Sequence, residues 1–343
     1  MIWDVTPREE SRTFSAGKGK ARGLAFSPDG DRVASTSTEE SVRVWDAHTG
    51  RIVLTLGGHQ GGAERVEFSA DVQRIATLSA GQAMQIFGAQ SSPRVERVMT
   101  VRRGVTVNVW NAATGERLHS FPERTGVTFS HDGKQFATAG ADNTVTIHRV
   151  PTAEPIFAFR PKIDGLSGLT FSPDGRRLAV WGQDPGTGFR LAGLHPIVRL
   201  YEVASGQEVL ALTGHRTLIN AVVFSSDGAL LASASLDQTV HIWDAATGKS
   251  MHSLRGHLGE VTSLAFSGDS TRLASAGVDG IVRIWDPLMG LEVCTLRGHT
   301  AGVFSVDWSR DGRRIAAGLF DGSVKLWEIG QSDMEPKFRN MNP

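Results

Sequence analysis

His215, Ser233 and Asp237 are the residue types with which hydrolases activate a serine: a carboxylate orients an imidazole, which takes the hydroxyl proton. His257, Ser275 and Asp279 repeat the set 42 residues later at identical spacing. That repetition argues against catalysis, because an active site is seldom copied at fixed intervals along one chain. Gly248-Lys249-Ser250 has the ending of a phosphate-binding loop. The glycine required five positions earlier is Trp243, and no helical pattern follows, so the segment reads as a turn between strands. The 11 histidines mostly occupy repeat positions, and none pairs with another at helical metal-site spacing beside an acid. No catalytic residue, metal or cofactor is expected.

The elements that carry these residues are short and recurrent. Thr239-Val-His-Ile-Trp-Asp244, Ile281-Val-Arg-Ile-Trp-Asp286 and Ser323-Val-Lys-Leu-Trp-Glu328 match almost position for position. One unit reads as four strands: Ile219 to Ser225, Ala229 to Ser235, Thr239 to Asp244 and Lys249 to Leu254. Small and β-branched residues fill the runs, and Gly, Asp and Thr fill the gaps between them. The first strand recurs seven times, ending at Phe26, Phe68, Phe129, Phe171, Phe224, Phe266 and Trp308, each followed by Ser. A four-stranded sheet alone buries too little to be stable, so the units must stack and close into a ring. The expected fold is all-β: a seven-bladed β-propeller with four antiparallel strands per blade. The last unit shows only three strands, and Ser11 to Ala16 reads as the missing fourth, closing the last blade from the N-terminus.

The domain reading is a propeller over residues 11–328 with two inserted loops. Phe68 to Phe87 has the regular spacing, but Val105-Thr-Val-Asn-Val-Trp110 has the better third-strand sequence. Residues 80–104 are therefore expected to form an inserted β-hairpin arm, and 183–196, rich in Gly and Pro, a second inserted loop. Residues 1–10 read as the remnant of a further repeat or a flexible arm, since Ile2-Trp3-Asp4 looks like another third strand. Residues 329–343 read as a flexible tail.

Composition narrows the partners. Basic and acidic residues balance at 36 each, so neither nucleic acid nor anionic membrane is the expected partner. No apolar run approaches a membrane span. Cys294 is the only cysteine and reads as a small buried hydrophobe. With no leader visible at Met1, the expectation is a cytoplasmic monomer.

Gly-His, then Ser or Thr, then Asp, then Trp-Asp resembles the WD-repeat β-propeller family across residues 11–328. The resemblance implies that His, Ser, Asp and Trp form a buried hydrogen-bond tetrad in each blade. Two units carry it whole: His215, Ser233, Asp237, Trp243 and His257, Ser275, Asp279, Trp285. The last has His299, Asp321 and Trp327, with Ala317 in place of Ser. Earlier units depart from the pattern, with Glu39 for Asp, His148 and Tyr201 for Trp, and Val180 for Ser. In the family, partners dock on the face bearing the loops before the first strand and between the second and third. That mapping selects Leu218, Asn220, Leu236, Glu260, Thr262, Val278, Phe304 and Phe320. The implied function is a non-catalytic scaffold for other proteins or peptides, either free or as the regulatory segment of a larger protein. The alternative is a propeller lyase or hydrolase with its site at the central channel mouth. It requires convergent carboxylates on the inner strands, whereas segments such as Thr262-Ser-Leu-Ala-Phe266 are small and apolar.

Overall fold

Each run of alternating small and branched residues forms a strand, and each group of four forms a sheet in chain order. Ile219–Phe224, Leu230–Ser235, Thr239–Asp244 and Ser250–Arg255 make one such blade. The computed structural model describes residues 12–17, 19–79, 81–87, 98–103, 105–185, 195–297 and 301–329; within 82–87 and 98–103 it describes backbone only. These residues form seven four-stranded antiparallel blades and one two-stranded sheet. First strands of successive blades pack against one another around the ring, so they line a central channel. The fold is the expected β-propeller. Residues 1–10, most of the 329–343 tail and residues 186–194 lie outside the described residues.

The ring closes through the N-terminus. Arg12–Ser15 pairs antiparallel with Ser323–Glu328, with Phe14 opposite Val324. It completes the blade begun by Val303–Trp308 and Arg314–Leu319. The ladder continues into the loop, where the Ala16 amide donates to the Gly322 carbonyl at 2.8 Å.

The core is distributed between blades. Between the first two, Ala34, Val42 and Val44 pack against Val66, Phe68 and Ile75. Between the last and the first, Ala316, Val324 and Leu326 pack against Phe26, Val33 and Trp45. Full burial of each Val, Leu, Ile or Phe among them stabilises the fold by roughly 1.5–3 kcal/mol before entropy is counted. No single blade could supply this, because each sheet finds its apolar partner only in its neighbours.

The serine that follows each first-strand aromatic fixes the turn into the second strand. Ser225 Oγ donates to Asp227 Oδ1 at 2.5 Å, while the Ala229 and Leu230 amides donate to Asp227 and Ser225. Gly228 closes the turn at φ 73°, a left-handed conformation that glycine adopts without a Cβ clash. The same Ser–Asp bond forms in the other six blades, at Ser27, Ser69, Ser130, Ser172, Ser267 and Ser309.

Two blades are interrupted between their second and third strands. In the second blade, Gln82–Phe87 and Val98–Arg103 form a separate antiparallel hairpin, with Gln82 opposite Arg103. The blade resumes at Thr106–Asn111, which places Trp110 opposite Ile75 of Arg74–Ser79. Phe87 thus belongs to the hairpin. In the fourth blade, Arg177–Gln183 pairs with Pro196–Glu202 up to Gln183 opposite Pro196, and the intervening chain leaves from that end.

Candidate functional site

The tetrad geometry decides between chemistry and structure. His215 donates from Nδ1 to Asp237 Oδ2 at 3.0 Å, and its Nε2 lies 2.8 Å from Ser233 Oγ. The indole of Trp243 donates to the same Oγ at 3.0 Å. One tautomer satisfies every group: Ser233 donates to His215 and accepts from Trp243. His257, Asp279, Ser275 and Trp285 repeat this with His257 Nδ1 to Asp279 Oδ2 at 3.0 Å, and Nε2 and the indole each 2.8 Å from Ser275 Oγ. The order Asp–His–Ser is that of a hydrolase triad, but both serines are fully buried and already accept an indole N–H. No substrate carbonyl can reach them. Burial alone would raise the Asp237 and Asp279 carboxyls. Hydrogen bonds from the histidines and from backbone amides outweigh it, holding both below the usual range.

The sequence pattern missed a third network of this kind. His59 Nε2 lies 2.8 Å from Thr77 Oγ1, and Trp110 donates to that hydroxyl at 2.9 Å. Where an Asp would stand there is Gly81, and His59 Nδ1 instead meets the Glu40 carbonyl at 3.3 Å. Gly58-His59 was the available signal, obscured because the hairpin moves Trp110 away from Thr77 in sequence.

Blades that depart from the pattern substitute other bonds. Trp45 donates to Ser35 at 3.0 Å without a histidine. His148 stacks on Phe136 at 4.7 Å and its Nε2 lies 3.0 Å from Thr138 Oγ1. Tyr201 uses its hydroxyl to accept from the Lys162 amide at 2.9 Å. His299 lies outside the described residues; Trp327 and Ala317 of the last blade are buried, and Asp321 Oδ1 accepts from Ser323.

These networks and their spacing are family features. The family model "WD domain, G-beta repeat" matches residues 8–46, 115–149, 206–244, 248–286 and 290–328, more than half of the chain. The chain belongs to the WD-repeat family. A curated relative is an uncharacterized WD repeat-containing protein of Synechocystis sp., 30% identical over 111 residues. That match covers 32% of this chain and 28% of the relative. Each family unit runs from the fourth strand of one blade through the third of the next. The two long stretches left unmatched, 47–114 and 150–205, contain the first three strands of each interrupted blade of this WD-repeat protein.

The buried networks hold a rim. The Leu236 amide donates to the Leu218 carbonyl at 3.0 Å, Val278 to Glu260 at 3.0 Å, and Phe320 to Gly302 at 2.9 Å. In three successive blades the two rim loops are thereby joined. Leu218 and Val278 are 38% and 36% exposed, Leu258 between them is 82% exposed, Glu260 is exposed, and Leu236 is half-buried. Phe304 and Phe320 stack with ring centroids 3.6 Å apart, both half-buried, with the Lys20 ammonium 5.1 Å from the Phe320 centroid. A Cβ on Gly302 would lie 2.6 Å from the Phe320 ring, so glycine makes room for the pair. Asn220 and Thr262 do different work. Asn220 Nδ2 donates to the Val261 carbonyl at 2.9 Å and Thr262 Oγ1 to the Val303 carbonyl at 2.8 Å, each tying its blade to the next.

A reading of the inner strands as small and apolar leaves out their acids, two of which bond the neighbouring blade. Glu67 Oε1 accepts from the Phe129 amide at 2.9 Å, and Asp307 Oδ2 from the Phe26 amide at 2.7 Å. Each carboxylate thus bonds the first strand of the following blade. Loss of solvent in the channel raises Glu67 to about 7 and Asp307 to about 6.

The worth of the indole bond can be measured against a built-in control. Trp181, also buried, has no hydrogen-bond partner for its Nε1–H among the described residues. Trp285→Phe is therefore expected to cost about 1–3 kcal/mol more than Trp181→Phe, because only the former strands Ser275 and His257. Equal denaturation midpoints for the two variants would show that the indole bond adds nothing.

Proposed function

We propose that this propeller is a non-catalytic platform that docks other proteins or peptides on the rim carrying Leu218, Val278, Phe304 and Phe320. The observation that carries the reading is an apolar crescent over three adjacent blades, two of them with a tetrad beneath the rim. The WD-repeat fold supports it, since propellers of this family generally serve as interaction scaffolds. Side chains on rigid supports lose little entropy on binding, and aromatic residues make strong anchors. Catalysis by the buried Ser–His–Asp sets has no route for substrate. A cytoplasmic location and a monomeric state belong to the same proposal, consistent with balanced charge and one buried cysteine.

The test is affinity capture with the wild-type chain and with Leu218→Asp, Phe304→Asp and Phe320→Asp combined. Partners held by the wild type should be lost from the triple variant and kept by Ile52→Asp, placed on an exposed fourth strand. Thermal melting of each variant checks that the ring survives. Recovery of the same partners with the triple variant would show that docking occurs elsewhere.

A further inference from the structure

Three residues before the aromatic that ends each first strand, six blades hold Gly23, Gly126, Gly168, Ala221, Ser263 and Ser305; the second blade holds Arg65. The guanidinium of Arg65 lies over the ring of Trp181 in the fourth blade, its carbon 5.7 Å from the centroid. With the third blade between them, the two meet across the channel. Trp181 departs from the repeat as well. Its position on the second strand is Ala139, Ala234 and Ala276 in the third, fifth and sixth blades. The ring belongs to the core between the fourth and fifth blades, but Gly168 beside it has no side chain, and a Cβ there would lie 2.1 Å from the ring. The indole thus extends over the innermost strand to the lumen. The level is near the docking rim, because the rim loops lead directly into the first strands.

Neither residue has used its donors. Among the described residues the Arg65 guanidinium makes no hydrogen bond and no ion pair, and the Nε1–H of Trp181, a residue 2% exposed, has no acceptor. Glu64 and Glu67 act on Arg65 from beyond ion-pair distance. Glu64 Oε1 accepts from Arg22 at 2.8 Å, and Glu67 Oε1 from the Phe129 amide at 2.9 Å. Arg65 is only half-buried, so the mouth of the channel gives access to it. A guanidinium over a ring keeps its N–H groups in its own plane, open to a fork of two oxygens. A buried indole N–H without an acceptor carries a desolvation cost that a nearby oxygen would recover. One cation flanked by two acids suits a singly charged, planar anion better than a doubly charged phosphate.

We propose that the rim mouth of the channel binds a carboxylate, held by the Arg65 guanidinium and the Trp181 indole N–H. A carboxylate that draws Arg65 toward the mouth also uncovers the indole beneath it. The group is carried either by a free monocarboxylic acid or by an aspartate or glutamate side chain of a docked protein; in the second case the inference rests on the rim reading.

Calorimetric titration of the full chain with butyrate, acetyl-Gly-Glu-Gly-amide and acetyl-Gly-Gln-Gly-amide tests this. Saturable binding of both acids is expected, tighter for butyrate if the source is a free acid and for the glutamate peptide if it is a side chain. The glutamine peptide should bind at least about tenfold more weakly, the loss expected for a charge-assisted bond. Arg65→Ser, which installs the residue type of the sixth and seventh blades, should weaken acid binding by about tenfold or more. Trp181→Phe keeps a ring under the guanidinium and removes the N–H, and should weaken it by about fivefold. Ile52→Asp, on an outer strand, should leave it unchanged. Melting curves confirm that each variant folds. Butyrate needs no docked protein, so its arm stands even if the rim captures no partner. No saturable binding of either acid to the wild type would overturn the proposal, as would unchanged affinity in Arg65→Ser or in Trp181→Phe.

Discussion

Phe14→Ala is expected to lower the stability of the whole ring by about 3–5 kcal/mol, the cost of removing a buried aromatic ring from a packed site. Phe14 is buried, and its ring stacks on Trp45 with centroids 5.5 Å apart and planes 16° from parallel. It packs in the cluster that joins the last blade to the first. Even Gly50 is shaped to it, since a Cβ there would lie 2.7 Å from the ring. The strand that carries it, Arg12–Ser15, is the N-terminal segment's strand in the blade otherwise built from residues 303–328. Weakening it frees the outer edge of Ser323–Glu328 and exposes the apolar faces that flank the seam. Ile52→Ala, at an exposed fourth-strand position, serves as the comparison and should shift stability by no more than about 0.5 kcal/mol. Urea denaturation measures both, and hydrogen exchange at Thr13 and Phe14 shows whether the seam opens first. Equal midpoints for the two variants would mean that the ring holds without its N-terminal fastening.

The ring and its seam were legible in the sequence because both depend on local pattern. A strand needs only its alternation, a turn only its Ser-x-Asp, and closure only an orphan strand at one end. The hairpin in the second blade was legible from Trp110 for the same reason, since Val105 to Trp110 carries a third-strand pattern that Phe87 lacks. What was not legible depends on neighbours distant in sequence. Thr77 gives no sign of its bond to Trp110 until the hairpin is set aside. Asn220 and Thr262 look like free rim residues until the next blade presents the Val261 and Val303 carbonyls. Arg65 and Glu67 look like the solvated face of an ordinary strand; only ring closure turns that face into a channel wall. There Arg65 lies 5.7 Å from the ring centroid of Trp181, two blades away. The substituted residues, His148 and Tyr201, gave no warning that they would find new partners for the bonds they replace.

The channel acids make the last prediction, which concerns pH. Burial raises Glu67 from 4.5 to about 7; the Asp307 charge adds to this, while the Phe129 amide, the Thr128 hydroxyl and Arg65 oppose it. Burial likewise raises Asp307 from 3.8 to about 6 against the Phe26 and Trp308 amides. In the interval between the ordinary and the raised value, the folded chain holds a proton that the unfolded chain releases. Stability is therefore full at low pH and falls as pH rises through the raised values. For Glu67 the loss is on the order of 3 kcal/mol, since each tenfold change in proton affinity is worth about 1.4 kcal/mol. Asp237 and Asp279 act in the opposite sense: both are lowered, so their contribution is lost only in acid, below the ordinary carboxylate range. Unfolding free energy should thus decline from about pH 4 to about pH 7 and level off above it, and Glu67→Gln with Asp307→Asn should flatten the decline. At the alkaline end the double variant should be more stable than the wild type, although it removes two charges that bond neighbouring blades. A wild type whose stability is level across this range would mean that the two carboxyls titrate as ordinary solvated acids.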